Sequence, residues 1–457
     1  MTKELLQFFE GKKILILGFG KEGKSTYRLL KDLIPPTNIS IADRMPEATG
    51  DFEDSIAEGV KVYTGESYLD EATGYDMLIK SPGIPKNVLE KKVDASRITS
   101  QTNLFLRFFG KQIIGVTGTK GKSTTSSLIR HILHGFDHNA ILAGNIGMPP
   151  FDYIHQINES THIVYELSSH QLDDVFYSPH IAVMLNLYEE HLDHYGSFEN
   201  YRNAKSNIFR FQKDEDFLVI NLDDNHLKSL QEGNGKSSII GYSENTSAQS
   251  TVFSLGSGMI RTRSPFAEHE FDFSQRSSLP GDHNLRNIMS AVAVSLLLNV
   301  PRGFIENGIQ TFTGLEHRLE FVGTFKGIHF YNDSIATVPE ATIEAVKTLK
   351  DTDTLILGGK DRGINYSSLI TFLPGSPVRN FICMGEAGLR IAEGLQNHLK
   401  PDQRIHIIDE FSEIRNLIIT YTKPGKICLL SPAAASYDWF LNFEERGKVF
   451  KKIAENL

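Results

Sequence analysis

The chain has 457 residues, 40% hydrophobic and 23% charged, an ordinary globular composition too long for one core, so roughly three domains are expected. A formal charge of −9 provides no general basic field and excludes nucleic acid as a default partner. The only cysteines, Cys383 and Cys428, lie far apart in apolar strand-like runs, which excludes a disulfide framework or a zinc site of their own and points to a reducing cytoplasm.

In chain order, Met1 to Glu10 mixes charges into a short apolar run and is not expected to be a signal peptide. No later run approaches the ~18 apolar residues of a membrane-spanning helix. Lys12 to Leu17 reads as a strand entering Gly18-Phe19-Gly20-Lys21-Glu22-Gly23, with a helix from about Lys24. Asn38 to Ala42 is a second strand ending at Asp43. This is a dinucleotide-fold fingerprint with an acid placed for a ribose hydroxyl. Met77 to Lys80 then leads into the rigid loop Ser81-Pro82-Gly83, where a strand end can meet a ligand.

Ile113 to Thr117 is a strand that breaks into Gly118-Thr119-Lys120-Gly121-Lys122-Ser123-Thr124, followed by a helix. Strand, glycine-rich loop, Lys-Ser and helix make a triphosphate cradle: amides face the phosphates, Lys122 supplies a point charge and Ser123 can hold Mg²⁺. The general pattern wants Gly at 116, which is Val here. Strands His162–Glu166, 181–186 and Phe217–Asn221 follow, each ending in polar residues. Residues 231–278 are polar and serine-rich and read as irregular or antiparallel structure, before a helix over 284–298. Beyond Leu315 come a strand over 327–333, a helix over 339–349 and four further strands near 354, 381, 405 and 427, again a βαβ array. Residues 430–440 read as a strand ending in small residues and opening a helix, a turn able to hold a small carboxylate at its amides.

Several residues carry chemistry by type and place. Glu166 at a strand's carboxyl edge can bind the nucleotide's Mg²⁺, the alternative being a solvated loop acid. The segment 186–195 packs His191, His194 and three acids just past the next strand, which suits a second metal, a substrate contact or a merely hydrogen-bonded loop. Arg318 can clamp phosphate and Asp333 can hold ribose hydroxyls.

Taken in order, these motifs resemble the Mur ligases of peptidoglycan precursor synthesis. The resemblance rests on Thr117-Gly118-Thr119-x-Gly121-Lys122-Ser123-Thr124, Gly144-Asn145-Ile146-Gly147, the Glu-Leu-Ser-Ser-x-Gln-Leu run from Glu166, and His191-x-Asp193. It continues through Tyr201-Arg202-x-Ala204-Lys205, Gly281-x-His283-Asn284-x-x-Asn287, His317-Arg318, Asn332-Asp333-Ser334 and the block from Ser431 to Gly447, which is typical of the glutamate-adding members.

The resemblance implies an α/β protein of three domains: a Rossmann-like UDP-substrate domain (1–104), a central P-loop-type ATPase domain with a mainly parallel sheet (105–314) and a Rossmann-like amino-acid domain (315–457). It implies an ATP-dependent ligase that joins glutamate to UDP-N-acetylmuramoyl-L-alanine through an acyl phosphate. Lys122, Glu166, His191 and Lys205 would be catalytic, with Ser123, Glu166, His191 and Lys205 serving two Mg²⁺ ions and Lys205 carbamylated. Gly118 to Thr124, Asn284, Asn287, Arg318 and Asp333 would hold ATP. Gly20, Lys21, Asp43, Arg44, Ser81, Pro82, Gly83, Asn145 and His191 would hold the UDP substrate, and Thr337, Arg362, Ser436 and Phe443 the glutamate. A cytoplasmic monomer with no nucleic-acid or membrane partner is expected.

Two positions depart from the family pattern: Ile335 replaces a lysine, and Arg362 stands where some members use lysine. D-Glutamate is the expected amino acid, with an L-glutamate-adding variant or a folylpolyglutamate-synthase-type ligase as alternatives. A dehydrogenase, prompted by the first glycine loop, and a non-catalytic nucleotide switch are readings from other classes.

Overall fold

The apolar runs assemble into three separate sheets. The computed structural model describes residues 2–44, 59–231, 236–247, 249–274, 279 and 282–457. The first sheet contains β1 (Ile14–Leu17), β2 (Ile39–Asp43), β3 (Lys61–Thr64), β4 (Met77–Lys80) and β5 (Ile98–Ser100). All pairs are parallel, in the order β3-β2-β1-β4-β5. Every residue of β1 is buried, because a parallel strand covered on both faces has no polar side. The order reverses between β1 and β4, so their carboxyl ends open the crevice where such sheets take ligands. The next helix, Lys21–Leu33, begins earlier than expected, with Gly20 as N-cap. Gly23 permits this: a Cβ there would collide with the Gly18 carbonyl.

The second sheet has nine strands: β6 (Ile113–Thr117), β7 (Ala140–Gly144), β8 (His162–Glu166), β9 (Ile181–Met184), β10 (Phe217–Asn221), β11 (Ser238–Ser243), β12 (Ser250–Gly256), β13 (Met259–Thr262) and β14 (Glu270–Asp272). Their order is β14-β13-β12-β11-β10-β9-β6-β8-β7, with the reversal between β6 and β9. The expectation for 231–278 needs correction. Only β13 and β14 are antiparallel additions, whereas β11 and β12 continue the parallel ladder from β10. β11 packs against the helix Asp282–Leu297. β11 ends and β12 begins in continuous buried runs, as parallel strands covered on both faces do, although their serine-rich sequence does not read as an apolar run.

The third sheet contains β15 (Glu320–Phe325), β16 (Ile328–Asn332), β17 (Thr352–Gly358), β18 (Asn380–Met384), β19 (Arg404–Ile408) and β20 (Ile427–Leu430), in the order β15-β16-β20-β17-β18-β19. β15 is a half-exposed antiparallel edge strand that the sequence did not signal. β20 lies between β16 and β17, so the loops after these three strands share one carboxyl edge. Residues 431–442 are not a helix. The helix there is Phe443–Glu455, capped by Asn442, whose Oδ1 accepts the Glu445 N–H at 2.8 Å. Pro432 and the left-handed Ala433 (φ +56°) keep the preceding run irregular.

The first and second sheets share one compact unit, and Thr311–Leu457, with the third sheet, forms another. Cys383 and Cys428 are free, buried thiols in β18 and β20, and burial pushes that of Cys383 up to about 12. Among the described residues no helix is long and apolar enough to cross a membrane.

Candidate active site

β6 delivers the phosphate loop to the sheet's reversal point. Val116 is fully buried and pairs with Glu166 on β8 and Val183 on β9. The position where the general pattern wants glycine is therefore still strand, and the tight turn comes later. Gly121 is the N-cap of the helix Lys122–Asp137 at φ +86°, and a Cβ there would lie 2.6 Å from Asn287 Oδ1. Asn287 in turn donates to Asn284 Oδ1 at 3.1 Å, so one expected nucleotide asparagine stands against the loop and the other is bonded to it.

The loop's other wall follows β9. Thr119 N–H donates to the Asn186 carbonyl at 3.0 Å. The Asn186 side chain accepts from Lys120 N–H (2.8 Å) and donates to its carbonyl (2.9 Å). Lys120 Nζ pairs with Glu190 at 2.6 Å, and Thr119 Oγ1 lies 3.1 Å from Tyr201 OH. Asn186, Glu190 and Tyr201 were absent from the expected site, although Asn186 and Glu190 lie in the His- and acid-rich segment 186–195 and Tyr201 in a segment singled out by the resemblance. Lys122 Nζ reaches the carbonyls of Gly118 and Thr119, both at 3.0 Å. Ser123 and Thr124 follow it at the half-buried helix start.

Lys205 projects from the helix Phe198–Arg210 and is 1% exposed. Its Nζ donates to Gly118 O at 2.9 Å and to Thr117 Oγ1 at 3.3 Å. Burial, then the Lys122 charge, drives its pKa well below that of an ordinary lysine. Glu166 is fully buried. Its Oε1 accepts from Asn145 Nδ2 at 2.8 Å, while Oε2 is buried with no hydrogen-bond partner among the described residues. His191 takes a left-handed conformation (φ +57°), uncommon for a residue other than glycine. Its ring centroid is 5.1 Å from that of His170, whose pKa falls to about 4 through burial and the charges of His194 and His191. Lys205 and Glu166 thus approach the phosphate loop with Asn145 alongside, and His191 begins the short helix beside them. Among the described residues no three His, Cys, Asp or Glu side chains converge as a metal cluster.

On the first sheet, Ser81 Oγ donates to Gly18 O at 3.0 Å and Asp43 Oδ2 accepts from Phe19 N–H at 2.6 Å. These bonds draw the Gly18–Gly23 loop, Asp43 and the Ser81-Pro82-Gly83 loop to one edge, with Gly20 and Lys21 at the helix start. Arg44 is exposed and pairs with Glu66 at 2.8 Å.

In the other unit, Asp333 Oδ2 accepts from Ser431 Oγ (2.8 Å) and Oδ1 from Leu319 N–H (3.2 Å). Burial pushes its carboxyl up to about 7, opposed by these bonds and by Arg318. Ser436 is buried, Thr337 half-buried and Arg362 exposed. The Phe443 carbonyl accepts from Ser334 Oγ at 2.8 Å. Arg446, fully buried, donates to Ser334 Oγ and O and to the carbonyls of Ala434 and Ala435, tying these loops together. Sequence marked the Arg446-Gly447 pair without a task for it. Gly281 lies outside the described residues.

The pattern of the Mur ligase middle domain matches residues 116–295, and that of the Mur ligase glutamate ligase domain matches residues 317–434. A UDP-N-acetylmuramoylalanine–D-glutamate ligase of Acetivibrio thermocellus is 34% identical, over 98% of this chain and 97% of its own length. The chain belongs to the Mur ligase family. A ligase of the same name from Listeria monocytogenes is also 34% identical, covering 97% of this chain and 96% of that one. Among solved structures, the MurC ligase of Thermotoga maritima covers 97% of this Mur ligase and 99% of its own chain, with a TM-score of 0.56 at 16% identity, a likeness of fold.

Proposed function

We propose that this Mur ligase joins D-glutamate to UDP-N-acetylmuramoyl-L-alanine, activating the muramoyl-alanine carboxylate with ATP and releasing ADP and phosphate, in peptidoglycan precursor synthesis. The substrate assignment is supported by the full-length relatives named for that reaction. The observation that carries the chemistry is buried Lys205, bonded to the Gly118 carbonyl of the phosphate loop.

A carboxylate is a poor electrophile. Transfer of the γ-phosphoryl group to it forms an acyl phosphate, whose phosphate can leave. The neutral amine of glutamate then attacks the acyl carbon, the C–O bond to phosphate breaks, and the nitrogen loses a proton as the amide forms. The loop from Gly118 to Thr124 would cradle the phosphates, with Lys122 opposing their charge. Asn284 and Asn287 would hold the nucleoside, and Arg318 and Asp333 its phosphate and ribose. Gly20, Lys21, Asp43, Arg44, Ser81, Pro82 and Gly83 would take the uridine diphosphate, and Asn145 the muramoyl-alanine. Thr337, Arg362, Ser436 and Phe443 would take the glutamate. Domains over 1–104, 105–314 and 315–457, acting as a cytoplasmic monomer, complete this reading.

The residues present fit Mg²⁺: Glu166 Oε2 is buried with no hydrogen-bond partner among the described residues, and a cation would complete it. Ser123, Glu166, His191 and Lys205 would hold two ions, which neutralise charge on the phosphoryl oxygens when bound. An ammonium at Lys205 does not suit that task. Its depressed pKa favours the neutral amine that CO₂ converts to a carbamate, a carboxylate-like ligand.

ADP release should require UDP-N-acetylmuramoyl-L-alanine and D-glutamate together, and omission of either should reduce it to background. Equal release without the UDP substrate would refute the assignment.

A further inference from the structure

Glu22 stands in the glycine loop that is expected to receive a diphosphate, where an acid would repel its ligand. It does not face outward. As the second residue of the helix Lys21–Leu33, it turns its carboxyl toward the second sheet, and Oε1 accepts from Gln171 Nε2 at 2.8 Å across 149 residues of sequence. Oε2 is buried with no hydrogen-bond partner among the described residues. The backbone carbonyl is also held, by Gln101 Nε2 at 3.1 Å.

Gln171 is itself 5% exposed and belongs to a capping box. Its Oε1 accepts from Ser168 N–H at 2.9 Å, and Ser168 Oγ accepts from Gln171 N–H at 3.2 Å. Both ends of the Gln171 amide are therefore committed, one to Glu22 and one to the backbone two residues past Glu166. A second bond reinforces the same seam: Lys80, the last residue of β4, pairs with Asp174 at 2.5 Å, both nearly fully buried.

We propose that Glu22 is a positioning residue: by fixing the Gln171 amide it holds the loop 166–171, and with it the Glu166 carboxylate, at the phosphate loop. The substrate loop and the carboxylate loop are thereby ordered by one hydrogen-bonded chain, Glu22–Gln171–Ser168, so the glycine loop serves the nucleotide half of the site as well as its own. The inference rests on the proposed reading of Glu166 as a Mg²⁺ ligand.

Three variants in the full chain test this: Glu22→Ala, Gln171→Ala and the double variant, with Glu22→Gln as the conservative control that keeps an acceptor oxygen. Glu22→Ala should lower kcat about tenfold, from the loss of a buried hydrogen bond that leaves the Gln171 amide unpaired, and raise the Mg²⁺ concentration for half-maximal rate several-fold. KM for the UDP substrate should change less than about twofold, since only interactions with bound substrate move it. The double variant should be no worse than the worse single one, because the residues act as a unit. Glu22→Gln should recover kcat to within about threefold of the parent, by retaining the acceptor. Binding of a non-hydrolysable ATP analogue, titrated with Mg²⁺ in the absence of UDP substrate and glutamate, gives the second readout. There Glu22→Ala should require several-fold more Mg²⁺, and Glu22→Gln should not. That readout stays legible if the ligase reaction itself fails, so the two failures are distinguishable. A rise in KM for the UDP substrate at constant kcat, additive effects in the double variant, or unchanged Mg²⁺ dependence in both assays would overturn the proposal.

Discussion

Two buried cations without a carboxylate partner among the described residues, Lys205 in one compact unit and Arg446 in the other, meet opposite fates. Lys205 is 1% exposed and has two oxygen acceptors, Gly118 O and Thr117 Oγ1, with a second lysine acting on it. Arg446 is fully buried, and its fork spreads over Ser334, Ala434 and Ala435. Neither has a carboxylate within salt-bridge distance among the described residues. Burial lowers both pKa values, but Arg446 falls only to about 10 and remains charged at neutral pH, whereas Lys205 is driven toward the neutral amine. A buried cation that is satisfied by carbonyls holds a structure together. One that is undersupplied and pressed by a like charge is poised for chemistry.

The largest effect should come from Lys205→Ala. Turnover should fall on the order of a thousandfold, as for loss of a group that stabilises transition-state charge, and added bicarbonate should not restore it. Wild-type rates in that variant would collapse the contrast. Arg446→Lys keeps the charge but loses the fork, leaving carbonyls unpaired. It should cost about 3 kcal/mol of stability in urea unfolding, and an unchanged midpoint would show that the fork is dispensable.

Asp333 sharpens the comparison from the acidic side. A carboxyl whose pKa is raised to about 7 in the fold contributes most below its unfolded pKa, and that contribution is lost as pH rises through about 7. Melting temperature should therefore decline for this reason between pH 4 and 8 in the parent chain, and less steeply in Asp333→Asn. Arg44→Ala is the smallest case, an exposed ion pair with Glu66 whose removal should leave the melting temperature unchanged.

What the sequence revealed follows the range of the interactions. The phosphate loop, the strand ends at Glu166 and Asp43, and the parallel sheets were legible because strand, turn and helix signals are local. Lys205 was reached only through the family resemblance, since its approach to Gly118 spans 87 residues. The Arg446–Ser334 bond spans 112 and the Glu22–Gln171 bond 149, and no local pattern encodes either. Residues 433–435 misled for another reason: three alanines favour a helix, but their backbone is held by Pro432, the left-handed Ala433 and the Arg446 fork.

The two departures, Ile335 and Arg362, fall in the part of the chain proposed to take the glutamate, which therefore offers the sharpest test. Unlabelled D-glutamate and isotope-labelled L-glutamate should be mixed in equal amounts with ATP and UDP-N-acetylmuramoyl-L-alanine, and the mass of the UDP product recorded. Product at the mass of the D-glutamate adduct, with little of the heavier one, is the predicted result. A product carrying mainly the heavy label, or no new UDP species at all, would contradict the account.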